Sequence, residues 1–161
     1  MKKILLTQGQ YALVDDADYE ELSNFNWYAK WDAHTKSFYA GRYIKIKKGQ
    51  YSAIPMHRYL LKPQKGVCVD HINHNTLDNR RENLRLATNS QNQQNKRRQK
   101  NNTSGYVGVS WKESNKKWGA FIRKDRTLKC LGYYLNRNEA AYAYNLAAKE
   151  LFGEYAFLNK L

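Results

Sequence analysis

Hydrophobic and polar positions change their period several times along the chain. Two short apolar runs flank Gln8–Gln10 in "KKILLTQGQYALV", where Gly9 supplies turn geometry, and predict two strands. "DDADYEELS" predicts a short acidic helix capped by Asp15 or Asp16, with Glu20 and Glu21 in the early turns that favour anions. A strand follows at "NWYAKW". "SFYAGRYIKI" alternates aromatic and polar residues, and Lys47-Lys48-Gly49 is a hairpin turn. "MHRYLL" is a short helix stopped by Pro63. "GVCVDH" is then a strand, "INHNTLDNRRE" a long polar loop, and "NLRLA" a strand with Leu84 and Leu86 on one face and Arg85 on the other. Thr88 precedes Gln91 by three, the spacing of a capping box, so a helix begins at Thr88. The order strand, loop, strand, helix is a ββα unit.

The last third alternates again. "GYVGVSW" places Val107, Val109 and Trp111 on one face, and "WGAFIRK" sets Trp118, Ala120 and Ile122 opposite Gly119, Phe121 and Arg123. "TLKCLGYY" supplies a third strand. Asn136 and Glu139 have cap spacing; Ala140, Ala141, Tyr144, Ala148 and Leu151 form one helical stripe, and Gly153 ends it. Trp111 and Trp118 read as core, and Phe121 as the exposed aromatic. These elements predict an α+β chain. Residues 1–62 are a β-rich scaffold, 63–95 the ββα unit and 96–102 a basic linker; 103–161 form a three-stranded antiparallel sheet packed on one helix.

Composition adds a partner. Of the 161 residues 42% are hydrophobic and 14% aromatic, so a packed core is expected and disorder throughout is excluded. The 28 Lys and Arg against 14 Asp and Glu leave a formal net charge of +14, which attracts a polyanion, nucleic acid being the usual one. Cys68 and Cys130 lie far apart with no C-x-x-C pair, which argues against a thiolate zinc site and fits a reducing compartment. Cys68 reads as a small buried hydrophobe. The N-terminal apolar run ends at Leu6, too short for a signal peptide, and no apolar stretch is long enough to span a membrane. The expectation is a cytoplasmic protein.

The chemistry concentrates in "VDHINHNTLDNRRENLRLATNSQNQQN". Asp70 offers a carboxylate, and Asn92, in the first turn of the expected helix, an amide oxygen; both suit magnesium, a hard cation that prefers oxygen ligands. His71 follows Asp70 on an extended strand and points to the other side, where it can address a water. Its ordinary pKa suits general-base work at neutral pH. His74, in the loop, is the rival base. His57 reads as a structural residue at a helix start and His34 as a turn residue. Lys96, Arg97, Arg98 and Lys100 beside this hairpin, and Arg85 on its polar face, are expected at DNA phosphates.

These residues resemble the HNH nucleases of the ββα-metal superfold. "VDH", "ENLRLAT" and a helical asparagine carry the likeness. It implies His71 as general base, Asp70 as first metal ligand, Asn92 as second, and Asn83 as the middle asparagine that braces the loop and orients the histidine. Asparagine in place of a final histidine moves the expected metal to Mg²⁺, with Mn²⁺ as substitute, and away from zinc. The implied activity is homing-type, metal-dependent cleavage of double-stranded DNA by a monomer, cutting one strand per binding event and leaving a 5′ phosphate. The other class of reading is a DNA-binding regulator whose hairpin has lost catalysis.

"SGYVGVSWKESNKKWGAFIR…LGYYLNRNEAAYAYNLAAKELFGEYAFLN" resembles the APETALA2-type DNA-binding domain of plant ethylene-response factors. That resemblance implies a sheet laid in the major groove, with Arg123 at a base edge. Phe121, Lys117 and Lys124 are the further contacts expected there. Ser110 stands where plant members have arginine, so their base preference does not transfer.

Overall fold

A computed structural model describes residues 1–95 and 102–161. The expected contacts of Lys96, Arg97, Arg98 and Lys100 lie outside the described residues. Contacts divide the chain into two compact units, Met1–Asn89 and Ser90–Leu161. The fold class is α+β.

The first unit opens with the hairpin β1 (Lys2–Leu5) and β2 (Tyr11–Val14). Antiparallel pairing runs from Lys2↔Val14 to Leu5↔Tyr11, and Gln8 and Gly9 both take positive φ in the turn. α1 (Asp16–Ser23) follows. Asp15 stands at its N-cap position but does not cap through its side chain. Its carboxylate accepts instead from the Arg81 backbone N–H at 2.7 Å, and the buried Asp18 takes the Arg81 guanidinium at 2.8 and 2.7 Å. The local cap gives way to a charge-assisted contact between distant segments. β3 (Tyr28–Asp32), β4 (Ser37–Lys47) and β5 (Gln50–Pro55) form a sheet in that order, and Lys48-Gly49 is the two-residue turn between the last two. α2 (Met56–Leu61) ends at Lys62, which adopts a left-handed conformation ahead of Pro63. β6 (Cys68–His71) and β7 (Leu84–Ala87) close the unit as an antiparallel pair. Ile4, Val14, Leu22, Trp27, Ala40, Met56, Leu60 and Leu84 form one core.

α3 (Asn89–Gln94) starts directly after Thr88, and the second unit begins at its second residue, Ser90. β8 (Val109–Lys112), β9 (Lys117–Lys124) and β10 (Thr127–Tyr134) form the expected antiparallel sheet with β9 central. α4 (Arg137–Phe152) packs on it. Asn136 caps it through a bond from the Asn138 N–H, and Ala140, Ala141, Tyr144 and Ala148 are buried against Val109, Ala120 and Ile122. The small side chains let helix and sheet approach closely. At Gly108, with φ +74, an added Cβ would lie 2.1 Å from the Tyr144 ring. Asn159 ties the C-terminal segment back: its amide pairs with both backbone groups of Val107 at 2.8 and 3.0 Å.

Several side chains depart from the pattern. Leu86 is 48% exposed and Trp111 42%, so neither is core. Each lies near the end of a short strand, where alternation continues but the opposing layer does not. Trp111 instead packs edge-on against Trp118 and donates to Glu113. Phe121 is half-buried rather than exposed, because its ring lies edge-on to Tyr133 and over the space a Gly119 side chain would fill. Cys68 is half-buried, its thiol donating to the Asn89 side chain at 2.9 Å.

Candidate active site

The β6–β7 pair sets Asp70 opposite Arg85 and His71 opposite Leu84. The twelve residues between these strands look like a solvated loop in the sequence, but they are built into the protein. Asn83 is 5% exposed and closes the loop with three bonds. Its carbonyl accepts from the Ile72 N–H at 2.9 Å, its side-chain oxygen from the Asn73 N–H at 2.9 Å, and its amide donates to the Asp78 carbonyl at 2.7 Å. His74 takes positive φ and its N–H returns to the His71 carbonyl at 2.9 Å, which turns the chain sharply after the strand.

Asp78 holds the centre of the loop and was not singled out in the sequence. It accepts two bonds from the Arg80 side chain and one from the Asn73 amide, all at 2.8 Å. Arg80 lowers its pKa first, and the Asn73 bond adds to that. Leu13 bonds the loop on both sides, to the Leu77 carbonyl and from the Asn79 N–H at 2.8 Å each, and Thr76 donates to the Phe38 carbonyl at 2.6 Å. The loop is therefore pinned to β2 and β4. The clue in the sequence was Asp and Asn packed among few apolar residues, a composition that either solvates or satisfies itself.

His71 is 6% exposed. Its ring lies 5.1 Å from that of His57 and 6.2 Å from that of Tyr39, centre to centre, both edge-on. Burial pushes its pKa down to about 4, although the Asn79 amide and Asp70 oppose the shift. The imidazole is thus neutral at pH 7, and burial makes it a weaker base than the ordinary value expected from the sequence. His57, the second residue of α2, is buried as expected of a structural residue. It is pushed down to about 3 by burial, then by His71 and Arg58. His74 is half-buried in the loop, and His34 lies exposed in the β3–β4 turn.

This buried histidine makes stability pH-dependent. The unfolded chain protonates His57 near pH 6.5, while the folded chain does so only near pH 3. Its contribution is complete above pH 6.5 and is lost as pH falls toward 3, at up to about 1.4 kcal/mol per pH unit. Melting followed from pH 7 to 4 should show a steep decline, and His57→Phe, which keeps the ring and removes that titration, should make it shallower by roughly half, the rest coming from His71. An equally steep decline in that variant would place the acid sensitivity elsewhere.

Asp70 does not stand alone. Arg85 donates to its Oδ2 from Nε at 2.9 Å and from Nη2 at 2.7 Å, with the two side chains 7% and 9% exposed. Arg85, expected at DNA, is turned inward onto the carboxylate. The register explains it: directly opposed residues on antiparallel strands share a face, and opposite charges there pair. Among the described residues no three His, Cys, Asp or Glu side chains converge as a metal cage. The donors available are hard oxygens, which fit a magnesium-like ion that takes one carboxylate and keeps waters or phosphate oxygens for the rest. Asn92 lies on α3 within the second unit, and its place as a ligand rests on its position in the sequence.

In the second unit Lys117, Arg123 and Lys124 are exposed. Lys117, Phe121 and Arg123 alternate on the β9 face away from α4. Ser110 and Lys112 of β8 join them there, Lys112 with its amine 4.8 Å from the Phe121 ring centre. A groove on this unit is lined by Lys112, Phe121, Arg123, Lys124 and Arg126, among others. No helix of the described residues is long and apolar enough to cross a membrane.

A model of the family described as HNH endonuclease matches residues 62–94, from the end of α2 through the hairpin into α3. The chain is 31% identical over 160 residues to an uncharacterized HNH endonuclease of Acanthamoeba polyphaga mimivirus, an alignment covering 96% of this chain and 77% of that protein. It is 35% identical over 85 residues to Protein 3.8 of Escherichia phage T7, covering 52% of this chain and 63% of the phage protein. No solved structure matches. The segment matched to the family is the one that carries Asp70, His71 and Asn83, and the mimiviral likeness runs through both units: the chain belongs to the HNH endonuclease family.

Proposed function

We propose that the protein hydrolyses phosphodiester bonds of double-stranded DNA in a divalent-metal-dependent reaction, at preferred sites and one strand at a time. The observation that carries this reading is His71: a neutral, buried imidazole on a strand beside a carboxylate, in a loop clamped by Asn83. His71 takes the proton of a water that attacks the phosphate in line. Asn83 keeps the loop after His71 in place, so the ring is held without help from substrate. Asp70 supplies the carboxylate that would hold Mg²⁺, or Mn²⁺ in its stead, and Asn92 the amide oxygen. Such an ion, when bound, offsets charge on the phosphate and on the departing 3′ oxygen.

The second unit is the DNA reader in this proposal. Its three strands and one helix, and the cations on the helix-free face, support the APETALA2-like reading. Arg123 reads a base edge, and Lys117 and Lys124 hold phosphates. Arg123→Ala should narrow the difference in affinity between preferred and scrambled duplexes by about 1–3 kcal/mol. Lys117→Ala or Lys124→Ala should weaken both duplexes alike and flatten the salt dependence by about one unit of slope each. Binding titrations at two salt concentrations separate these outcomes, and identical behaviour of all three variants would remove the base-reading role.

One observation favours the other reading, a DNA-binding regulator without catalysis: Arg85 occupies the Asp70 carboxylate. Supercoiled plasmid incubated with Mg²⁺, and in parallel with EDTA, decides. Relaxed circles only with the metal establish the nuclease; intact plasmid with retained DNA binding establishes the regulator.

A further inference from the structure

The β4–β5 hairpin outgrows its sheet. β3 pairs only with Ser37–Gly41 of β4, and from there the ladder continues with β5 alone, from Gly41↔Pro55 to Lys47↔Gln50. On this two-stranded extension Tyr43, Ile46 and Tyr51 are 65%, 59% and 62% exposed, and Lys45, Lys47 and Lys48 are exposed too. A bare two-stranded ribbon is marginal in water, and large apolar side chains clustered on one mark a surface that meets a partner.

The foot of the ribbon is fastened. The Arg42 guanidinium lies 3.6 Å from the Phe25 ring centre and 4.7 Å from that of Tyr59, which commits that cation to the protein itself. On the other face Tyr43 stacks on Tyr28 at 5.0 Å. Both strands also lead to the candidate base. Tyr39, at the foot of β4, packs against His71, and β5 runs directly into α2, whose His57 packs against the same ring.

Charge identifies the occupant. Between Ala33 and Val69 the sequence has eight Lys and Arg and no Asp or Glu, whereas the whole chain has one acid for every two bases. A two-stranded ribbon fits the width of the DNA major groove. The six residues Arg42–Lys47 extend about 20 Å at 3.3 Å each, which is roughly six base pairs.

We infer that the ribbon Arg42–Ile54 lies in a groove of the duplex beside the scissile phosphate. Lys45, Lys47 and Lys48 hold backbone phosphates there, and Tyr43 and Tyr51 lie against the groove. This rests on the nuclease reading for the position of the cut, and adds a second DNA contact in the nuclease unit itself, within about six base pairs of that cut.

The test uses the full chain in EDTA, so that binding is read without cleavage. Duplex titrations at several salt concentrations compare the wild type with the triple variant Lys45→Ala, Lys47→Ala, Lys48→Ala and with the pair Tyr43→Ser, Tyr51→Ser. Thermal melting establishes that each is folded. The lysine variant should bind at least tenfold more weakly and lose about two to three units of salt slope. Both variants should lose one block of about six base pairs from a hydroxyl-radical footprint. An unchanged slope and footprint would overturn the inference. So would a variant that binds DNA normally but no longer forms a dimer seen by sedimentation of the wild type, since the ribbon would then pair two copies of the chain. A wild type that binds with the expected slope yet never cuts with Mg²⁺ or Mn²⁺ loses the nuclease reading and keeps the ribbon. One that cuts, while the lysine variant binds as the wild type does, keeps the nuclease and loses the ribbon.

Discussion

His71→Ala is expected to lower the rate of DNA cleavage by about two to four orders of magnitude and to leave duplex affinity within about twofold of the wild type. The imidazole is buried against His57 and Tyr39, with no room to reach far along DNA, so its removal touches the water and not the grip. Single-turnover cleavage with saturating protein isolates the chemical step. His71→Ala opens a cavity, so a second variant, His71→Gln, checks that any loss is not merely structural: it should melt close to the wild type and remain as inactive. His74→Ala should cut nearly normally, because that residue lies beyond the turn. If His74→Ala is the silent variant and His71→Gln cuts, the roles are reversed.

Asp70→Ala is expected to do two things at once. It removes a carboxylate that would hold the metal, and it takes one negative charge away from the Arg85 guanidinium, which is 9% exposed. Breaking one side of a buried pair costs about 3–5 kcal/mol, because the charge that stays loses that compensation in a poor dielectric. At about 4–8 °C per kcal/mol for a unit of this size, the melting temperature of the first unit should fall by roughly 12–40 °C. The double variant Asp70→Ala, Arg85→Leu removes both charges and should recover most of that stability while remaining unable to cut. Wild-type melting of the single variant would mean that the pair is not buried in solution; cleavage by the double variant would take Asp70 out of the metal site. Arg85→Leu alone is the complementary case. The Asp70 carboxylate there no longer accepts from the guanidinium, so Mg²⁺ should raise this variant's melting temperature more than it raises that of the wild type.

The order of elements was legible in the sequence because each carries a local signal. Period-two alternation marked β8 and β9, Asn136 and Gly153 bracketed α4, and Lys47-Lys48-Gly49 marked the β4–β5 turn, of which Lys47 proves to be paired. Asp70 and His71 stood out as adjacent residues of the right chemistry on one short strand. Asn83 was placed by resemblance, and its three bonds to the loop fit a bracing role. Other features came only from the folded chain, because they depend on which distant segments meet. Asp15 and Asp18 serve Arg81, more than sixty residues away. Asp78 becomes a buried hub only when the loop docks on Leu13. His57 looked like the start of an unremarkable helix, and only the placing of α2 sets its ring against His71. Arg85 shows the division most clearly. Its alternation marked it as polar and away from Leu84, as it is. Whether that polar face met DNA or Asp70 was decided by the hairpin register, which puts the two charges directly across from each other. Periodicity along one strand reports which way a side chain points; only tertiary structure decides what is waiting there.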